Sequence, residues 1–213
     1  MSTLTQEQWD NYKRQFPNDM RIQAVTLEAL LEDTGGGTVD WGNPPLAVER
    51  SVAIPRIGAI SACELAVGYV IFDAVCLAVG AVALRSGATR EAAAAMVEAA
   101  APVLSKLEAA ITKMAAEGAS KTDVAWGVYE ILKTIYSGGC LGAVVSAFVG
   151  SLTWQYALLY SATAVATIVA ALATDGVAFV AEIAIELATF GFLVVDSVSA
   201  VRACGWSSTT QIA

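Results

Sequence analysis

The chain has 213 residues, of which 56% are hydrophobic and only 15% charged, with a formal net charge of −8 and no histidine. Ordinary soluble domains are about 45–50% apolar and about 25% charged, so the composition leans toward a membrane or an unusually apolar core, and mean hydropathy is +0.61. The acidic balance argues against nucleic acid and against simple electrostatic docking on anionic lipid; the missing histidine excludes the usual Ser-His-Asp and Cys-His catalysis and His-ligated zinc.

The N-terminus, MSTLTQEQWDNYKRQFPNDM, is polar and mixed in charge. It lacks a short apolar core behind a basic start, so no classical signal peptide is expected. A protein with this start that leaves its cell does so by lysis or a dedicated secretion machine. Thr5 and Gln8 suit a capping box for a short helix ending near Pro17. Asn18 is placed to cap a second helix. Ile22, Val25, Leu30 and Leu31 give that helix its apolar face, and Gly35 to Gly37 stop it. The stretch GGGTVDWGNPPLAVERSVAIPR is rich in Gly and Pro and reads as a long loop. It divides a polar helical region, residues 1–50, from an apolar helical body, residues 51–213.

Ile57 to Leu84 is long enough to cross a bilayer, for which about 20 residues suffice. It carries Glu64 and Asp73, which nine positions apart point to opposite sides of a helix. Each needs a partner, water or a proton if it enters lipid. Thr89 is placed to cap the next helix, in which Val97, Ala100, Leu104, Leu107, Ile111 and Met114 make a stripe; Pro102 should kink or divide it. Ser120 and Asp123 start a further helix. Val124, Val128, Ile131, Leu132 and Ile135 form its buried face, and Gly138 ends it. These are amphipathic elements that meet water.

Residues 140–174 contain no charge. As one helix they would run about 50 Å, past the hydrocarbon thickness of about 30 Å. A break at Gly150-Ser151 is therefore expected. Gly142, Ser146 and Gly150 recur every four residues and form a flat strip on which another helix can approach closely, in lipid or in a soluble core. Asp175-Gly176 is a turn signal. The helix after it carries Glu182, Glu186 and Asp196. Asp175, Glu182 and Glu186 share a narrow arc, with Asp196 about 60° away. Such a stripe faces water on a soluble bundle, lines a cation-preferring pore, or senses pH through the cost of charge in lipid. Cys140 and Cys204 lie at comparable distances from the turn. A disulfide between them and a pair of buried reduced thiols are both consistent with that placement. No CxxC pair, phosphate loop or nucleophile motif occurs, and neither an enzyme nor a cofactor is expected.

The expected fold is all-α: a helical bundle with a hydrophobic helical hairpin over residues 140–203 and amphipathic wrapping helices. On the uncharged first arm, the Asp175-Gly176 tip and the apolar second arm, about a third of the chain, the architecture resembles the α-helical pore-forming toxins, including colicin pore domains. The acid in the second arm exceeds what colicin hairpins usually carry. The resemblance implies a protein that is soluble before insertion, meets a lipid membrane, and opens a pore as a homo-oligomer or with a second component. In that reading Gly142, Ser146 and Gly150 pack protomers, and Asp175, Glu182, Glu186 and Asp196 face the pore or act as a trigger. The competing expectations are a constitutive integral membrane protein with three or four spans, and a soluble helical binding or structural protein.

Overall fold

The structure, a computed structural model, describes residues 4–45, 60–81, 84, 89–174, 176–187 and 191–206. The fold is all-α, with no strand element among the described residues. The outer boundary of the polar N-terminal region, near residue 50, lies outside the described residues, as does the second half of the Gly/Pro-rich stretch.

Helix α1 (Gln6–Lys13) starts on the capping box of Thr5 and Gln8. Thr5 Oγ1 accepts from the Gln8 amide, and Gln8 Oε1 accepts from the Thr5 amide, at 3.3 and 2.9 Å. The single helix expected next is two, α2 (Met20–Ala24) and α3 (Leu27–Asp33). Asp19 rather than Asn18 caps α2, accepting from the amides of Arg21 and Ile22. Val25 then adopts an extended conformation and Thr26 caps α3, because a β-branched pair favours strand-like backbone and a threonine hydroxyl can restart the helix. Gly35, Gly36 and Gly37 end α3 with φ of 66°, 101° and 73°, values that suit glycine alone.

Helix α4 (Ala62–Ala78) is the innermost element. Its first turn is closed by a capping box of Ser61 and Glu64, so Glu64 is a surface cap and not a charge lodged in an apolar span. The Ser61 amide and hydroxyl hold the Glu64 carboxyl below its ordinary range. From Val67 onward nearly every side chain of α4 is buried, including Asp73. Helix α5 (Arg90–Ala99) lies close along α4. Gly68 permits that approach, since a Cβ there would collide with the Ala93 backbone of α5. Pro102 divides the next segment as expected: a one-turn 3-10 helix (Ala101–Val103) precedes α6 (Leu104–Met114). Helix α7 (Lys121–Ser137) begins on the Ser120–Asp123 capping box and packs on α6.

The uncharged stretch breaks near Gly150, giving α8 (Leu141–Phe148) and α9 (Trp154–Leu172). The second arm is itself two helices, α10 (Val177–Glu186) and α11 (Phe192–Cys204). These do not fold back on α9 as the second leg of a hairpin. Helix α9 packs chiefly on α8, α1 and α3, α10 packs on α7, and α11 packs along α4 and α6. The hairpin is thus opened, its last helix laid along α4. Apolar almost all round, α4 must be covered on every side. One buried cluster runs through the molecule and takes in Trp9, Tyr12 and Leu30 of the N-terminal region as well as the body.

The cysteine pairing differs from the expectation. Cys204 is joined to Cys63, with Cα atoms 4.6 Å apart, and not to Cys140. Cys140 is buried and free, its thiol donating to the Ile135 carbonyl at 3.3 Å. Because α11 lies along α4 and not beside α8, its last turn brings Cys204 to the first turn of α4.

Candidate functional site

Helix α9 has 19 residues without a charge and is the one helix among the described residues with the length and hydropathy of a membrane span. The α7–α8 pair reaches that standard only jointly, bent by 116°. Inward, α9 presents Leu158, Leu159, Ala162, Val165 and Ile168. Outward it presents small residues, among them Thr167 and Ala170. Its polar side chains are largely satisfied within the helix. Thr163 Oγ1 donates to the Leu159 carbonyl at 2.9 Å, and Thr167 Oγ1 donates to the Thr163 carbonyl at 3.0 Å. Such back-bonding lets a hydroxyl enter an apolar medium without an orphaned donor.

The N-terminal half of α9 is covered by the polar region. Tyr160 Oη donates to the Asp40 carbonyl at 2.9 Å and accepts from the Asp40 amide at 3.0 Å. Trp41 sets its ring edge-on to Tyr160, with centroids 4.8 Å apart, and also meets Phe148. The Arg21 guanidinium lies 5.0 Å above the ring of Trp154, the first residue of α9. Tyr12 is fully buried at this junction and its hydroxyl lies 3.4 Å from Ser146 Oγ of α8. Burial holds that phenol above its ordinary range, so it remains protonated.

These contacts place the predicted helix-packing strip. Gly142 faces Gln15 and Phe16, which leave no room for a Cβ, and Ser146 faces Tyr12. Gly150 lies exposed past the end of α8. In this fold the chain's own N-terminal segment occupies the first two positions of the strip.

The acidic positions are separated. Asp175 lies outside the described residues. Glu182 and Glu186 stand one turn apart on α10, while Asp196 belongs to α11, which runs along a different partner. Glu182 and Glu186 border a cavity of about 310 Å³, lined also by Leu77 and Gly80 at the end of α4, Thr167 of α9 and Phe179. Glu186 is partly buried, and burial followed by the charge of Glu182 pushes its carboxyl up. Apolar side chains are exposed beside it and beyond: Val177 and Ile185 on α10, Phe192, Val194 and Val195 on α11. Among the described residues no group of three or more His, Cys, Asp or Glu side chains gathers as a metal site.

Sequence reasoning missed the aromatic contacts of Trp41, Tyr12 and Arg21 with α8 and α9. A signal was present: Trp9, Tyr12, Phe16 and Trp41 are dense aromatics in an otherwise polar region. Comparison with family models, curated proteins and solved structures finds no match to this chain.

Proposed function

We propose that this chain is a water-soluble helical protein that inserts α9 into a lipid bilayer and assembles there with further copies into a pore. The observation that carries the reading is α9: an uncharged helix of spanning length, its threonine hydroxyls bonded within the helix, one half shielded by separate polar elements. About 25 cal/mol per Å2 of apolar surface favours its burial in protein and in lipid alike, so exchanging one for the other costs little in solvation. Charge-bearing helices α5, α6 and α7 supply the water-facing surface before insertion. The exposed apolar side chains of α10 and α11 offer a first contact with lipid. The Cys63–Cys204 disulfide fits an oxidising compartment, and hence a secreted protein. No enzymatic step is assigned.

A constitutive membrane protein with three or four spans has less to draw on. Its first expected span contains the Ser61–Glu64 cap and the buried Asp73, and α4 is surrounded by other helices.

Size-exclusion chromatography of protein made without detergent, followed by dye release from liposomes at pH 7 and pH 5, tests the reading. A compact soluble peak that releases dye is the expected result, with faster release at pH 5 because the Glu186 carboxyl, pushed up by burial and by Glu182, gives up its charge more readily as pH falls. A soluble peak silent at both pH values would leave the exposed apolar side chains of α10 and α11 as a protein-docking surface. Recovery only from membranes would make α9 a permanent span.

A further inference from the structure

We infer that residues 4–45 form an autoinhibitory cover that must leave α9 before α9 can enter a membrane; this rests on the insertion reading above. The cover is built as a unit. Trp9 Nε1 donates to the Val25 carbonyl, and Gln23 Nε2 donates to the carbonyls of Lys13 and Phe16 while Lys13 Nζ returns a bond to the Gln23 carbonyl, so α1 and α2 are tied to each other. Its hold on α8 and α9 is made differently, by apolar and aromatic packing with few polar bonds: Trp9, Tyr12 and Leu30 join the buried core, Phe16 lies on Gly142, Trp41 meets Tyr160 and Phe148, Arg21 stands over Trp154, Tyr12 meets Ser146, and Asp40 makes two bonds with Tyr160. A piece bonded within itself and held to its neighbours chiefly by apolar packing can exchange that packing for lipid on the α9 side.

Covalent connectivity points the same way. The disulfide closes the chain from Cys63 to Cys204, so every other described helix lies within a closed ring and the cover lies outside it. The cover can depart without disturbing that closure. Charge agrees as well. Residues 4–45 carry seven carboxylates against three cationic side chains, half of the chain's net −8. A segment so acidic is repelled by anionic lipid, and its departure removes that repulsion as it uncovers the start of α9.

The full chain, with a protease recognition sequence inserted between Pro45 and Leu46 so that cutting frees the whole of residues 4–45, tests this. Cut and uncut protein are floated with vesicles of phosphatidylcholine containing a minority of phosphatidylglycerol, and dye release is read from the same samples. The cut protein is expected to associate about tenfold more than the uncut, since membrane affinity scales with the apolar area made available. The uncut double variant R21A/W41A, which loosens the cover without cutting it, should fall between them. Equal flotation of all three forms overturns the cover, including the case in which the cut fragment stays bound and changes nothing. Flotation gained on cutting but without dye release keeps the cover and removes the pore. Rapid dye release from uncut and cut protein alike keeps the pore and removes the cover.

Discussion

Glu186 shows how one side chain in this fold ties acidity to stability. Its carboxyl is pushed up by burial and by Glu182, so the folded state prefers the protonated form. A raised acid contributes stability below its unfolded pKa, and that contribution is lost as pH rises through the folded value. Glu186→Gln should therefore raise the melting temperature at pH 7 and lose that advantage near pH 4; an equal gain at both values would assign the effect to something other than titration. Gly142 makes a steric counterpart. Phe16 and Gln15 sit where its Cβ would be, so Gly142→Leu should destabilise the soluble monomer by about 1–3 kcal/mol, whereas Gly150→Leu, on exposed chain, should change it little. Chemical unfolding of the two single variants separates them. At this scale the caps were legible in the sequence, because Thr5–Gln8, Ser120–Asp123 and Thr89 act within one turn of themselves. The cysteine partner was not, because Cys63 and Cys204 are brought together by the placement of whole helices.

Among the elements, the breaks were readable and the partners were not. Pro102 and Gly150 interrupt helices through their own backbone chemistry, and both interruptions occur where expected. Which helix lies at the centre depends on a competition among apolar segments. Residues 140–203 are apolar over a greater length, but α4 buries more completely because its apolar positions run all round it, while α9 keeps Thr167 and Ala170 at the surface. The single helix expected after the turn is divided for a related reason: α10 and α11 take different partners, so Asp196, expected about 60° from the arc of Glu182 and Glu186, lies on a separate helix. The surface of α9 also allows fold and insertion to be tested apart. Thr167→Lys adds a cation beside Glu182 and Glu186 at the cavity rim, so the soluble fold should persist by circular dichroism. In a bilayer the same lysine costs up to about 2.5–3.5 kcal/mol. Vesicle association should fall accordingly, and an undiminished association would exclude α9 as the inserting helix.

The whole molecule is a body closed by one covalent link and an arm laid across it. Two of the four cysteines, Cys76 and Cys140, lie outside the disulfide, so denatured, unreduced protein should titrate as two thiols per chain. Loops of this length give about 4–5 kcal/mol on closure by chain-entropy reasoning, and reduction should lower the unfolding free energy by that order. Denaturant melts with and without reductant measure it; coincident curves would show that the link contributes nothing. Charge and glycine change sharply along the chain, yet one buried cluster takes in residues on both sides of that change. That the arm lies on α9 was not legible in the sequence, because the Tyr160–Asp40 bonds join residues 120 positions apart. The ring has a mechanical meaning too. Pulled from its two ends, the oxidised chain can pay out only the residues before Cys63 and after Cys204, about 250 Å at full extension, against about 740 Å when reduced. The arm would come away first, and a motor threading the chain from its N-terminus would strip the arm and then stall at Cys63, where two strands must pass abreast.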